Sequence, residues 1–205
     1  MRKTTVVSVV VFLLAGSAMA LAQCVCPKAK VADGWCQGCK VGYVAGVKIK
    51  SARLFEAVQG KAVSADKIRC KDCQQAAKRG CGWCDKCKAG IVAGKGYHSP
   101  VAYALAQGQH KDPATIKCPK CRQAAKDHGW CSDCKEGYAG TLVFTGKEKY
   151  EKAAKARQTL IRAARLAEKC ESCAAAMVSD GTCSRCKVSF KDGKPTTGSK
   201  SKPRP

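Results

Sequence analysis

Short stretches of alternating apolar and polar residues are set between longer segments of helical periodicity, and the arrangement returns about every fifty residues. Three β-type stretches stand at equivalent places: Val41-Gly42-Tyr43-Val44-Ala45-Gly46, Ala89-Gly90-Ile91-Val92-Ala93-Gly94, and Glu136-Gly137-Tyr138-Ala139-Gly140 running on to Phe144. Helices are predicted between them. Ser51 can cap residues 52–59, which carry Leu54, Phe55 and Val58. Ser99-Pro100, a cap followed by proline at the first helical position, opens residues 101–107. Thr145-Gly146-Lys147-Glu148 reads as a capping box for the longest helix, residues 147–169, with Tyr150, Ala153, Ala154, Leu160, Ile161 and Ala164 along one face. The residues after Phe190 are mostly Lys, Gly, Ser, Thr and Pro, so 191–205 is expected to be a disordered basic tail.

The opening segment has a different pattern. Arg2 and Lys3 precede a largely apolar run from Val6 to Ala15, and Ala18-Met19-Ala20 and Ala20-Leu21-Ala22 both fit A-x-A cleavage sites. Residues 1–22 therefore read as a secretory signal peptide. An uncleaved anchor over residues 6–22 is the rival, at the short limit for crossing a bilayer. Leu21-Ala22-Gln23-Cys24 also approaches a lipoprotein acylation site, although Gln replaces the small residue expected there. The expected location is secreted or periplasmic.

Cysteine changes the picture most. The 205 residues include 17 Cys, while aromatics are only 6%. A core made from so few large side chains would be thin, so another source of stability is needed. Sixteen cysteines form four groups of four: Cys24, Cys26, Cys36 and Cys39; Cys70, Cys73, Cys84 and Cys87; Cys118, Cys121, Cys131 and Cys134; and Cys170, Cys173, Cys183 and Cys186. Three groups read C-x2-C, nine or ten residues, C-x2-C, and the first opens with C-x-C. Trp35, Trp83 and Trp130 each stand between a Gly and the third cysteine, with Thr182 in that place in the last group. A Lys follows every fourth cysteine: Lys40, Lys88, Lys135 and Lys187.

These landmarks divide the chain into modules 1 to 4, at residues 23–50, 70–97, 118–145 and 170–190. Helical connectors occupy 51–69 and 98–117, and the long helix 146–169. The modules are expected to be strung like beads.

Four thiolates at about 2.3 Å suit tetrahedral Zn2+ and leave no open position, which favours structural over catalytic metal. Each Trp would shield its metal or pack locally. About four zinc ions per chain are expected. Disulfides are the main rival because export leads to an oxidising compartment, but a C-x2-C disulfide is typical of redox catalysts, not of structural staples. A rubredoxin-like iron site usually separates its cysteine pairs more widely. Covalent haem is excluded because no second cysteine is followed by His. Cys81 is left over, and His98, His110 and His128 read as packing or surface residues. No catalytic triad, carboxylate pair, phosphate loop or H-E-x-x-H is present, so no enzyme is legible.

The net charge is +23, from 38 Lys+Arg against 15 Asp+Glu. Loss of Arg2 and Lys3 leaves +21, and four zinc tetrathiolate centres at −2 each reduce this to +13. Lys71, Lys86, Lys120 and Arg185, inside the C-x2-C turns, fit local compensation of anionic centres. The remaining surplus suits an anionic envelope polymer or a protein partner, and export disfavours nucleic acid.

The spacing and the flanking Gly-Trp and Lys residues resemble tandem zinc ribbons or zinc knuckles, as in exported bacterial repeat proteins with C-x2-C pairs. The resemblance covers the cysteine groups and not the connectors. It implies small α+β metal-stabilised repeats, with four zinc-ribbon-like four-cysteine modules joined by short strands and helices. The function expected is binding or scaffolding in the cell envelope, with metal storage or thiol–disulfide chemistry as alternatives.

Overall fold

The computed structural model of the protein describes residues 26–196. The proposed signal segment, Cys24 and most of the basic tail lie outside that range.

One unit recurs: a helix, a strand ending at the third cysteine, a tight turn, a β-hairpin and a second helix. In module 1 these are α1 (Cys26–Ala32), β1 (Gly34–Cys36), β2 (Val41–Val44), β3 (Val47–Ile49) and α2 (Ala52–Ala57). After β4 (Lys61–Ala62), module 2 follows with α3 (Lys71–Lys78), β5 (Cys81–Cys84), β6 (Ala89–Val92), β7 (Lys95–Tyr97) and α4 (Pro100–Ala106). After β8 (Gln109–His110), module 3 comprises α5 (Pro119–Asp127), β9 (Trp130–Cys131), β10 (Glu136–Ala139), β11 (Leu142–Thr145) and α6 (Lys147–Ala167). Module 4 has α7 (Glu171–Val178), a single bridge between Thr182 and Ser189, and the hairpin β12 (Phe190–Lys191) and β13 (Lys194–Pro195).

All strand pairs are antiparallel. The orders are β1-β2-β3, β4-β7-β6-β5, β8-β11-β10-β9 and β12-β13. The connectors thus contribute edge strands as well as helices, since β4 and β8 each join the sheet of the module that follows.

Local chemistry explains the turns. Ala45-Gly46, Ala93-Gly94 and Asp192-Gly193 hold positive φ at both residues, the backbone that two-residue hairpins require. Ser51 and Ser99 cap α2 and α4 as expected, their hydroxyls accepting from the Leu54 and Ala102 amides at 3.1 Å. The capping box at Thr145 does not form. Thr145 ends β11, and Gly146 takes the cap position at φ 99 with no side-chain bond.

Each hairpin is locked to its following helix by one device. Trp35, Trp83 and Trp130 pair across the strands with Gly42, Gly90 and Gly137. The bare glycine admits an aromatic ring from the helix: Phe55, Tyr103 or Tyr150, whose centroid lies 5.2, 5.3 or 5.8 Å from that of the Trp. A Cβ on those glycines would fall 2.1–2.3 Å from the ring. The tryptophans therefore do the local packing job, ring against ring. Module 4 has Thr182 opposite Ser189 and lacks the device.

The modules are not independent beads. One apolar cluster joins Val44 and Ile49 of module 1, Leu54 and Phe55 of α2, Leu105 of α4, Leu142 and Phe144 of module 3, Leu160 of α6, and Val178 and Phe190 of module 4. The long helix is the spine. Its buried face is Ala153, Ala156, Thr159, Leu160 and Ala163, and Tyr150, Ile161 and Ala164 of the expected stripe pack partly buried against the same cluster. The hairpin tip of module 1 reaches that of module 3, where Arg157 Nε donates to the Ala45 carbonyl at 3.1 Å.

Candidate metal centres

In modules 2, 3 and 4 the first C-x2-C lies at a helix start, and the second opens a turn, at the end of a strand in modules 2 and 3 and after the Thr182 bridge in module 4. Cys70, Cys118 and Cys170 are the N-cap residues of α3, α5 and α7, and Cys73, Cys121 and Cys173 lie in the first turns. This differs from a ribbon built of two hairpin turns. Three residues after each second cysteine stands a buried alanine, Ala76, Ala124 or Ala176, and opposite it a glycine, Gly82, Gly129 or Gly181. At Gly82 a Cβ would lie 2.6 Å from that of Ala76, so the bare glycine lets helix and strand close there, whereas at Gly129 and Gly181 the alanine is no nearer than 3.8 Å.

The turn after the third cysteine is tight. The Cys87 and Cys186 amides point at the Cys84 and Cys183 sulfurs, at 3.5 and 3.2 Å, and the Cys173 amide points at Cys170 Sγ at 3.4 Å. The Lys after each fourth cysteine holds φ of 48–57°, the left-handed conformation that closes the turn. Lys40, Lys88, Lys135 and Lys187 thus have a backbone role besides any charge compensation.

Three groups of four sulfurs result: Cys70, Cys73, Cys84 and Cys87; Cys118, Cys121, Cys131 and Cys134; Cys170, Cys173, Cys183 and Cys186. Within each, all four sulfurs lie within 4.8 Å of one another. Cys70–Cys84, Cys170–Cys183 and Cys170–Cys186 are 3.8, 3.9 and 3.7 Å apart. A tetrahedron of sulfurs about 2.3 Å from its centre has an edge of about 3.8 Å. A disulfide needs about 2.05 Å. The donor set, its number and its spacing therefore fit a tetrahedral thiophilic ion, and each of these three groups can hold one.

Electrostatics favour thiolate at the starts of α3 and α5. The Cys73 amide holds the Cys70 thiol down to about 7, and the Cys121 amide does the same for Cys118. At Cys183 burial opposes the shift, but the Cys186 amide and neighbouring groups hold it at about 7. Burial pushes Cys73, Cys121 and Cys173 up, so a bound cation is needed to keep four thiolates together.

Two cationic residues noted for compensation are engaged. Lys86 reaches Asp72 at 3.0 Å and Lys120 reaches Asp133 at 2.8 Å, so the same cross-turn ion pair occurs with opposite polarity in modules 2 and 3. Module 3 adds a carboxylate that the sequence reading missed. Glu136 accepts from Lys111 at 2.9 Å and from the Tyr138 hydroxyl at 2.7 Å, beside Cys121.

Module 1 repeats the scaffold in part. Cys36 is buried at the end of β1 and Cys39 follows on the turn, with Ala29 and Gly34 in the Ala–Gly contact. Cys24 and the side chain of Cys26 lie outside the described residues. Cys81 is in none of the three groups, and its sulfur is 3.6 Å from the Tyr103 hydroxyl. His128 is likewise outside them, closing α5 at φ 54, and His110 faces Asp33 at 3.6 Å. Among the described residues, no helix is long and apolar enough to cross a membrane.

No protein-family model, curated protein or solved structure matches the chain.

Proposed function

We infer that the protein is an exported zinc-binding repeat protein whose four-cysteine centres are structural and whose linked modules form a binding scaffold in the cell envelope. The observation that carries this reading is the convergence of three cysteine groups into clusters whose sulfurs lie within 4.8 Å of one another, with sulfur–sulfur distances of 3.7–3.9 Å, the edge of a zinc tetrathiolate, in modules 2 and 4. Four thiolates complete the coordination of zinc and leave no place for water or substrate. The helix starts and turn amides supply partial positive charge to the sulfurs, as a site carrying −2 requires. Export rests on the charged, apolar and small-residue order of residues 1–22. The partner is another protein or an anionic envelope polymer, as the residual positive charge suggests.

The test is zinc content and free-thiol count on one anaerobically purified sample expressed with its own leader, together with the mass of the chain. Three to four zinc ions, no disulfides and loss of about 22 residues are expected. Four ions would include Cys24, Cys26, Cys36 and Cys39 as a ligand set. Absence of metal with few free thiols would overturn the reading.

A further inference from the structure

The three described clusters share a ligand set but not a setting. In module 4, Cys173 and Cys183 belong to the main apolar cluster beside Met177, Val178 and Phe190, and Cys170 and Cys186 pack against it. The clusters of modules 2 and 3 stand apart. Cys73 and Cys84 share a small patch with Ala76 and Ile91, and Cys121 and Cys131 one with Ile116, Ala124 and Tyr138. The fourth cysteine follows the same division. Cys87 and Cys134 are exposed and excluded from their patches, whereas Cys186 is half-buried against the core.

Ligand exchange at a filled tetrahedral zinc needs an incoming donor to approach as one ligand leaves. An exposed cysteine on a two-residue turn can swing out with little loss of packing. A cysteine held against the core can leave only if the core opens, and local opening of a small patch costs less than global opening. The ion pairs Lys86–Asp72 and Lys120–Asp133 lie across the turns but are themselves exposed, so they hold the turns weakly.

We propose that the centres of modules 2 and 3 are exchange sites that hand zinc to thiol-bearing acceptors through Cys87 and Cys134, while the centre of module 4 is fixed. This rests on the zinc reading above and adds an exchange role to two of its structural centres. In the exchange an acceptor thiol loses its proton and its sulfur takes the place of Cys87 or Cys134 on the ion. One metal–sulfur bond forms and one breaks, and the released cysteine thiolate takes up the proton. No electron is transferred. Repetition at the remaining ligands moves the ion to the acceptor.

The experiment uses the full zinc-loaded chain, excess dithiothreitol as acceptor and a chromophoric zinc indicator. Amide and indole NMR signals report the individual centres: the Trp83 and Trp130 indoles for modules 2 and 3, the Cys183 and Cys186 amides for module 4. Two ions are expected to leave at a rate that rises with dithiothreitol, accompanied by changes at Trp83 and Trp130. The ion of module 4 should leave at least about tenfold more slowly, at a rate independent of dithiothreitol and together with global unfolding. Release of all ions in one phase, or release first from module 4, would overturn the division while leaving the zinc reading intact. A chain that takes up no zinc would overturn both.

Discussion

Gly137 offers a quantitative test of the ring-over-glycine device. A Cβ at this position would lie 2.2 Å from Tyr150 Cγ, 2.4 Å from Cδ2 and 2.5 Å from Cβ. The last atom is fixed to the α6 backbone, so rotation of the ring alone cannot clear the contact. In Gly137→Ala either β10 and α6 separate or Tyr150 is expelled. Overpacking costs about 1–3 kcal/mol. Expulsion would forfeit the Trp130 ring contact, about 0.5–1.5 kcal/mol, and the hydrogen bond from the Tyr150 hydroxyl to the His128 carbonyl, about 1 kcal/mol. The two routes together span about 1–3 kcal/mol, which in a domain of this size lowers Tm by roughly 2–12 °C. The assay is thermal unfolding of the zinc-loaded protein by circular dichroism. Gly129→Ala is the control, because its Cβ would meet nothing closer than 3.8 Å. The double variant Gly137→Ala with Tyr150→Gly should show strong coupling, since the glycine at 150 removes the three atoms nearest the new Cβ, including the Tyr150 Cβ. Additive effects, or a Gly137→Ala protein as stable as the parent, would refute the packing account.

Three further outcomes follow from the turns and the junction between modules. Gly140→Ala should destabilise more than Gly137→Ala, because φ is +67 and the new Cβ would lie on the Ala45 carbonyl oxygen; denaturant unfolding measures it. Ala93→Asn should stabilise by about 0.5–1 kcal/mol, as φ is +46 at an exposed position and Asn tolerates the left-handed region better than Ala; a rise in Tm of a few degrees is expected. Asp33 raises His110 above its ordinary value against the opposing effect of burial. That contribution is complete below the ordinary value of 6.5 and is lost as pH rises through the higher folded value. The stability difference between the parent and His110→Ala should therefore shrink between acidic and mildly alkaline pH, and a constant difference would contradict it.

Much of the modular chemistry was readable from spacing alone, because sequence proximity forces it. A C-x2-C pair brings its two sulfurs together, and Ser51 and Ser99 act on amides only three residues away. The hairpins were readable as β-type stretches for the same local reason. Another signal was present but was not read. An aromatic residue stands twenty residues after each Trp, as Phe55, Tyr103 and Tyr150, and a Gly stands seven after. These spacings encode packing between a strand and the next helix, which no local periodicity reveals. The conformation of Lys40, Lys88, Lys135 and Lys187 was hidden behind their charge, since glycine is the residue that normally signals a left-handed turn. The shared core was the least legible feature. Ala153 lies on the apolar face expected for α6, but only the tertiary arrangement shows that Ala153, Ala156 and Ala163 let several modules meet on one spine.

The central claim is that each clustered set of four cysteines holds one zinc ion through sulfur alone. Zinc X-ray absorption on the anaerobically purified chain tests it directly, because the first shell reports ligand type, number and distance together. The account predicts four sulfur scatterers per zinc at about 2.3 Å, with no nitrogen or oxygen in the shell. A shell containing imidazole or water, or fewer than four sulfurs on average, would contradict it.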